Sequence, residues 1–302
     1  MGFPEWRVAA ASVCGVSHTK ISRPCQDAHD WVILPGGILV AAVADGAGSA
    51  TLPELGAGLA ARTAIEAICE RWDLAPGSSG SSAPATPGWM SPGRNPEAGP
   101  ARMMAHRQGP GAHQSQAVKP LRLPTLVEAD WRAVFGSVFA SAQKALVSAA
   151  VARDVPKQDL ATTLSVVVAW PEGVAAAQIG DGTVVVGEQP DAVVALITPA
   201  RGEYLNETVF LTSEGALEDL PVNVWHGFVA HVAVLSDGLQ MLALQMPGGV
   251  PHAPFFAPLF RYLATVGEEG RASADLTAFL GSPRIAERTD DDLTLLLAVL
   301  RG

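Results

Sequence analysis

Cysteines are scarce in this chain of 302 residues, and they are not spaced like metal ligands. There are three of them, Cys14, Cys25 and Cys69. The odd number argues against a disulfide framework, and the lack of a Cys-x-x-Cys pair argues against a cysteine-ligated zinc site. We therefore expect reduced thiols and a cytoplasmic protein.

Positive charge is also in short supply. The 20 Lys and Arg residues face 30 Asp and Glu residues, which gives a net charge of -10. Nucleic acids and anionic membranes bind clustered basic side chains, so this balance disfavours both as partners, whereas it allows cation sites.

The chain lacks an uninterrupted apolar run of the about 18 residues that a membrane span needs. The segment RVAAASVCGVS (7–17) resembles a weak signal sequence, but no basic cluster precedes it, and its alternation predicts a first strand.

Apolar sequence, by contrast, is plentiful. Hydrophobic residues make up 48% of the chain and charged residues 17%, which is enough for a large core. We predict a single domain over residues 1–302. The segment 76–124 is rich in Pro, Gly and Ser and has no hydrophobic periodicity, so we expect a disordered insertion there. This insertion is either a passive loop, which costs little to close, or a basic tether that contacts the acidic body.

Hydrophobic spacing predicts the elements around this insertion. Residues 52–73 and 127–153 have apolar side chains at helical spacing. Residues 161–188 then contain three β-rich runs, separated by Pro171-Glu172-Gly173 and by Gly180-Asp181-Gly182, which predicts consecutive hairpins. Further strands are predicted at 231–240 and 291–300. Because helices and strands are grouped separately along the chain, we expect an α+β fold with a mostly antiparallel sheet.

Carboxylates recur at the ends of the predicted strands. In VAAVADGAGSA (40–50), a buried strand delivers one carboxylate into a glycine-rich turn, which is either structural or a cradle for an anion. The recurring residues are Asp27, Asp45, Asp181, Asp237 and Asp291. If they share one rim, their repulsion raises their pKa values unless divalent cations neutralise them. Ligands that are all oxygen favour Mg²⁺ or Mn²⁺ over zinc. The nearby His18 and His29 are explained more simply as ordinary loop residues.

Six short motifs carry a family resemblance. They occur in the order QDAHD, VADGAGSA, ATTLSVVV, IGDGTVVV, LSDGL and DDDLTLLL. Together they resemble the metal-dependent Ser/Thr protein phosphatases of the PP2C (PPM) type in their bacterial form. The resemblance covers nearly the whole chain outside the insertion. It implies a PP2C-like four-layer α/β/β/α sandwich, in which helix pairs flank two antiparallel sheets and a binuclear metal centre lies in a cleft at one end.

The resemblance also implies roles for the acidic residues. It implies that Asp45 bridges two Mn²⁺ or Mg²⁺ ions and that the Gly46 carbonyl binds one of them. Asp237 and Asp291 would hold the ion on one side, and Asp27 would reach the metals directly or through water.

Two further residues are assigned in the same way. Asp181 would contribute to a third metal that is held more weakly. Arg23 would grip the substrate phosphate, although its spacing from Asp27 is shifted relative to the family. The alternative for Arg23 is a surface charge.

The chain departs from the family pattern at several positions. Gln26 replaces a common Glu, Gly182-Thr183 replaces Ser-Arg, and Asp292 stands where Asn is usual. Ala47 replaces a histidine that is proposed as a general acid, which puts the protonation step in doubt. Two metal ions can activate water and stabilise the leaving oxygen without it. All the core carboxylates of the motifs remain, which argues against a degenerate pseudoenzyme.

The function that the resemblance implies is a protein serine/threonine phosphatase that hydrolyses phosphomonoesters by attack of a metal-bound hydroxide, without a phosphoenzyme. We expect a cytoplasmic monomer that acts on phosphorylated Ser/Thr proteins and opposes a protein kinase. Two alternatives share the fold: a catalytically weak phosphopeptide-binding module and a phosphatase for a small phosphorylated metabolite. A scaffolding protein would have no reason to place so many carboxylates at strand ends.

Overall fold

The computed structural model describes residues 5–72, 128–198, 208–267 and 269–301. The insertion predicted at 76–124 lies outside these residues. The strands are β1 (Glu5–Val13), β2 (Asp27–Leu34), β3 (Ile38–Asp45), β4 (Leu164–Trp170), β5 (Gly173–Ile179), β6 (Thr183–Gln189), β7 (Ala192–Ile197), β8 (Val222–His226), β9 (His231–Leu235), β10 (Leu244–Gln245), β11 (Val250–Pro251) and β12 (Leu293–Arg301). The α-helices are α1 (Val16–Lys20), α2 (Pro53–Arg71), α3 (Glu128–Arg153), α4 (Gln240–Ala243), α5 (Ala253–Thr265), α6 (Glu269–Leu280) and α7 (Pro283–Ala286). Short 3₁₀ turns cover Lys157–Leu160 and Asp237–Leu239.

Ten of these strands form two antiparallel sheets. One sheet has the order β1-β12-β9-β6-β7 and the other the order β2-β3-β4-β5-β8, while β10 and β11 form a separate small pair. The sheets pack face to face through a shared apolar cluster, to which both contribute alternate side chains. Members of that cluster include Trp6, Leu39, Val167, Val184 and Leu296.

Helices cover the outer face of each sheet. The small residues of α2 and the aromatic residues of α3 pack on the sheet that contains β3, whereas α5 and α6 pack on the sheet that contains β12. Within β3, Val40 and Ala42 face the helices and Leu39 and Ala41 face the other sheet. Because both faces of such a strand are buried, its sequence is apolar without alternation. The predicted four-layer sandwich with flanking helix pairs is confirmed.

The predicted helices and most predicted strands are confirmed, with one error in connectivity. The turn at Pro171-Glu172-Gly173 joins β4 and β5 as a hairpin. The second predicted hairpin is wrong, because β5 pairs with β8 in one sheet and β6 pairs with β9 in the other. The turn at Gly180-Asp181-Gly182 therefore crosses between the sheets. Hydrophobic pattern cannot distinguish these cases, since β5 and β6 are apolar on both faces. The last strand also begins at Leu293, later than predicted.

Helix α3 qualifies the prediction about membrane spans. Its segment Asp130–Arg153 is long and apolar enough to cross a membrane, by length and composition alone. In the fold, Trp131, Phe135 and Phe139 on this helix are fully buried in the core beneath the sheet. The apolar character of α3 is thus accounted for by packing.

Two glycines in α2 allow a matched test of this packing. A Cβ at Gly56 would lie 2.4 Å from the carbonyl oxygen of Leu160, whereas a Cβ at Gly58 would have nothing within 4 Å. Alanine in an open helix position stabilises by about 0.5–1 kcal/mol relative to glycine. We expect Gly58→Ala to stabilise the protein by about that amount, and Gly56→Ala to destabilise it by about 1–3 kcal/mol through overpacking. Urea unfolding of both variants measures this, and equal effects at the two positions would contradict the close helix–turn contact.

Candidate active site

The topology brings the ends of strands from both sheets together. Asp27 begins β2 and Asp45 ends β3, and the two residues are directly opposite in the antiparallel pair. In the other sheet, Leu235 at the end of β9 is opposite both Thr183 at the start of β6 and Leu295 near the start of β12. The residues that flank these strand ends, Asp181, Asp237 and Asp291, therefore lie at one edge of the sandwich, as the sequence predicted.

A cavity of about 190 Å³ opens at this edge. Its lining residues are His18, Gln26, Asp45, Gly46, Ala47, Gly48, Thr163, Asp181, Thr208, Phe210, Asp237, Asp291 and Asp292. Five of the predicted site residues are among them. Asp27 is buried and does not line the cavity, although its charge acts on Asp45.

The backbone of Asp45 is held by the two residues that precede β4. The Thr163 hydroxyl oxygen accepts a hydrogen bond from the Asp45 N–H at 3.0 Å. The Asp45 carbonyl accepts two bonds, one from the Thr162 hydroxyl and one from the Thr163 N–H, each 2.8 Å long. Next in the chain, the Gly46 N–H donates to the Gln26 carbonyl at 3.0 Å. A side chain at Gly46 would lie 2.5 Å from the Pro53 carbonyl oxygen, so this turn requires glycine.

Asp181 is positioned by the turn that joins the two sheets. Gly180 has φ +108°, and a Cβ there would lie 2.4 Å from the Thr163 side chain. The buried Gln178 amide donates to the carbonyls of Gly180 and Gly182, both at 3.0 Å, and thereby closes the turn. The hydroxyl of Thr208 donates to the Asp181 carboxylate at 2.9 Å. The carboxylate is consequently fixed at the rim of the cavity.

A buried polar network supports Asp27. The Ser236 hydroxyl donates to Asp27 Oδ2 at 2.7 Å and accepts the Thr294 N–H at 3.0 Å. The Thr294 hydroxyl is 2.6 Å from that of Ser12, which is 2.8 Å from His29 Nδ1. Asp27 Oδ1 is buried without a hydrogen-bond partner among the described residues. Burial lowers the pKa of His29 to about 4, so this histidine is a neutral member of the network within β2 and not a loop residue.

The carboxyl groups raise one another's pKa values, as predicted for a shared rim. Burial raises the pKa of Asp27 to about 7, and the charges of Asp292 and Asp237 add to this effect. Burial also raises the pKa of Asp45 well above its ordinary value, with further contributions from Asp27, Asp237 and Asp181. The pKa of Asp237 is raised by burial and by the charges of Asp181 and Asp291. Ionising the whole group without counter-charge is therefore unfavourable.

Asp292 and His18 are site residues that sequence reasoning did not identify. Asp292 is buried, and its two oxygens accept the N–H groups of Gly15 and Gln26, each at 2.6 Å. His18 Nδ1 lies 3.0 Å from Asp292 Oδ1, close enough for an ion pair although poorly aligned for a hydrogen bond. Asp292 thereby ties the segment 14–26 to the last motif. The run of three aspartates at 290–292 was the available signal.

Arg23 lies apart from the other predicted residues. It is in the loop between α1 and β2, where its N–H donates to the His18 carbonyl at 3.0 Å. Its side chain is exposed and is not part of the cavity lining that the described residues form. A role in gripping phosphate stays a prediction for Arg23.

Comparisons with known proteins agree with this geometry. A family model described as protein phosphatase 2C matches residues 14–281. The chain is 32% identical over 303 residues to serine/threonine-protein phosphatase 3 of Escherichia coli (strain K12), and the match covers 98% of both chains.

Solved structures show the same fold at low sequence identity. A serine/threonine phosphatase of S. agalactiae matches with a TM-score of 0.52 and 11% identity, over 98% of this chain and 100% of that one. The catalytic domain of the serine/threonine protein phosphatase PstP, in complex with two manganese ions, matches with a TM-score of 0.53 and 14% identity, over 99% and 100% of the two chains. Since the family model and the Escherichia coli relative each span most of the sequence, the chain belongs to the protein phosphatase 2C family.

Proposed function

We propose that this chain is a metal-dependent protein serine/threonine phosphatase that hydrolyses phosphomonoesters in the cavity at the strand ends. The observation that carries the proposal is the convergence of Asp45, Asp181, Asp237 and Asp291 on one cavity, in a member of a phosphatase family. The name of the Escherichia coli relative, a serine/threonine-protein phosphatase, supports the same activity.

The chemistry of the cavity fits divalent cations. Its charged ligands are oxygens, which suit Mn²⁺ and Mg²⁺. The raised pKa values of Asp27, Asp45 and Asp237 support this assignment, because cations would offset the cost of ionising a buried acidic cluster. Within the described ranges, no three or more His, Cys, Asp and Glu side chains form a compact ligand group. That arrangement is compatible with Mg²⁺, which keeps several waters and takes one or two carboxylates.

We propose that the site binds two Mn²⁺ or Mg²⁺ ions tightly and a third ion more weakly. Asp45 would bind both tightly held ions, and the Gly46 carbonyl, Asp237 and Asp291 would complete their protein ligands. Asp27, which does not line the cavity, would act through water or through its charge on Asp45. Asp181 would serve the third ion. When bound, such ions activate a water molecule and neutralise charge on the phosphoryl group.

The protein positions the aspartates and leaves space in the cavity for the substrate. Thr162 and Thr163 hold the Asp45 backbone, so the main chain that carries this carboxylate is fixed beside the other aspartates. Ala47 and Gly48 line the cavity with minimal side chains, which leaves space for a phosphomonoester. Arg23, on the exposed loop outside the cavity, would bind the phosphate of an incoming substrate.

We further propose a cytoplasmic, monomeric enzyme of one domain over residues 1–302, with an insertion at 76–124, that acts on phosphorylated Ser/Thr proteins and opposes a protein kinase. Two alternatives make different predictions. A phosphopeptide-binding module would bind phosphopeptides without turnover. A metabolite phosphatase would hydrolyse small phosphorylated compounds and leave phosphoproteins intact.

Hydrolysis of an aryl phosphate tests metal dependence. We expect activity that chelation removes and that Mn²⁺ or Mg²⁺ restores. Asp45→Asn should reduce it at least about 100-fold, because a neutral amide leaves two dications poorly compensated. Full activity of the chelated enzyme would overturn the metal hypothesis, and a phosphoserine peptide assayed in parallel separates the protein phosphatase from the metabolite phosphatase.

Metal counting separates the roles of two carboxylates. Asp237→Ala should lose bound metal and activity together, since it removes a ligand and local charge from a tightly held ion. Asp181→Ala should keep two tightly bound ions and retain slow turnover. Native mass spectrometry with parallel turnover measures both variants. If Asp181→Ala strips the tightly bound metal as fully as Asp237→Ala does, Asp181 belongs to the inner pair.

The pH dependence of stability tests the electrostatics without activity. The pKa of Asp27 is about 7 in the folded protein and about 3.9 in an unfolded chain. Its contribution to stability is therefore complete below pH 4 and is lost as the pH rises through 7. In the metal-free protein, we expect Asp27→Asn to reduce the fall in melting temperature between pH 5 and pH 8.

The exposed Asp154→Asn is the matched control and should keep the slope of the wild-type protein. The opposite contribution of His29, whose pKa is lowered to about 4, is present in both variants and cancels in the comparison. An unchanged slope in Asp27→Asn would show that Asp27 is not the buried acid that the structure describes.

A further inference from the structure

One wall of the cavity has no part in the function described so far. His18, in α1, lines the cavity together with Asp45 and Asp237, and its side chain is 15% exposed. It contributes the single imidazole among the described lining residues, whose other side chains are carboxylates, hydroxyls, an amide and apolar groups. We infer that His18 is a catalytic residue that donates a proton to the leaving-group oxygen of the substrate. This inference rests on the proposed phosphatase activity.

Contacts with residues 290–292 hold the helix that carries the imidazole. Asp292 Oδ1 lies 3.0 Å from His18 Nδ1, and the carboxylate is itself fixed by the N–H groups of Gly15 and Gln26. The N–H and the hydroxyl of Ser17 both donate to the Asp290 carbonyl, at 3.0 and 2.6 Å. Helix α1 is thus attached to the segment that also supplies Asp291 to the cavity.

The position of the carboxylate decides which ring nitrogen is available. Nδ1 is the ring nitrogen that lies beside Asp292, at 3.0 Å from Oδ1, and Nε2 is on the opposite side of the ring. When His18 is protonated, Asp292 lies close enough to Nδ1 to pair with it, and the proton on Nε2 is then the one that can reach a substrate. The buried Asp292 lies on the Nδ1 side of the ring, which leaves Nε2 for a substrate.

A proton donor accelerates the hydrolysis of phosphoserine, because the serine oxygen leaves as a strongly basic alkoxide unless it is protonated. Water oxygen forms a new bond to phosphorus, and the bond between phosphorus and the serine oxygen breaks with its electron pair on that oxygen. The oxygen takes the proton from His18 Nε2, the attacking water loses one proton to solvent, and the imidazole regains a proton from solvent. The products are serine and inorganic phosphate. An aryl phosphate such as p-nitrophenyl phosphate releases a stable anion and needs the proton far less.

Comparing substrates with different leaving groups therefore tests whether His18 donates a proton. For His18→Asn with Mn²⁺, we expect turnover of a phosphoserine peptide to fall about 100-fold or more, the usual scale of general acid catalysis. Turnover of p-nitrophenyl phosphate should fall at least about 10-fold less than that. Across a series of substituted phenyl phosphates, the dependence of kcat on leaving-group pKa should become steeper in the variant.

The outcomes separate catalysis from anchoring. Equal losses on peptide and aryl substrate would show that His18 only anchors α1, and no loss on either would show that it has no role; both results overturn the inference. Mn²⁺ binding by calorimetry and the melting temperature should stay close to wild type. The control is His226→Asn, an exposed histidine at the end of β8 that pairs with the far end of β5 from Asp181. Metal-restored hydrolysis of p-nitrophenyl phosphate by wild type tests the proposed function separately.

Discussion

The repulsion among the carboxylates at one edge of the sandwich is the constraint on which the rest of the site depends. Burial raises the pKa values of Asp27, Asp45 and Asp237. The negative charges of neighbouring aspartates raise them further. Left to themselves, such side chains would move apart into water. They stay together because their backbones are fixed by the strands and turns around them, so the energy of folding the sheets opposes the repulsion. The fold thus holds carboxylates together at a defined place, where positive charge binds favourably.

Neither sheet alone could build this arrangement. One sheet supplies Asp27 and Asp45 from a single antiparallel pair, and the other supplies Asp237 and Asp291 beside adjoining strand ends. Asp181 lies in the turn that passes between the two sheets, where the buried Gln178 and the positive φ of Gly180 fix its direction. The apolar cluster between the sheets sets the distance across the cavity. The geometry of the site therefore depends on how the two sheets pack in the core.

The sequence predicted these features unequally. Apolar periodicity was sufficient for α2 and α3, and the burial of both faces of β3 explains why its strand was recognisable as an apolar run. The same uniformity concealed the sheet change at Gly180-Asp181-Gly182, because a pattern without alternation carries no information about the pairing partner. Helices α5 and α6 followed from the family resemblance and not from spacing. The aspartates were found through their strand-end positions, whereas His18 was missed because its role depends on contact with Asp292 at the other end of the chain.

The contact between the two ends of the chain explains how the cavity acquires groups other than carboxylates. Pairing of β1 with β12 brings residue 13 opposite residue 293, so the segment that follows β1 must pass beside the last motif. The approach is close: a Cβ at Gly15 would lie 2.4 Å from the carbonyl carbon of Asp291. Asp292 then holds this segment through backbone N–H groups, which are independent of side-chain identity. The acidic groups are consequently fixed by strands and turns, and the segment that carries His18 and Arg23 is attached to the last motif through its backbone. Because these contacts use main-chain N–H groups of Gly15 and Gln26, they do not depend on the side chain at position 18 or 23.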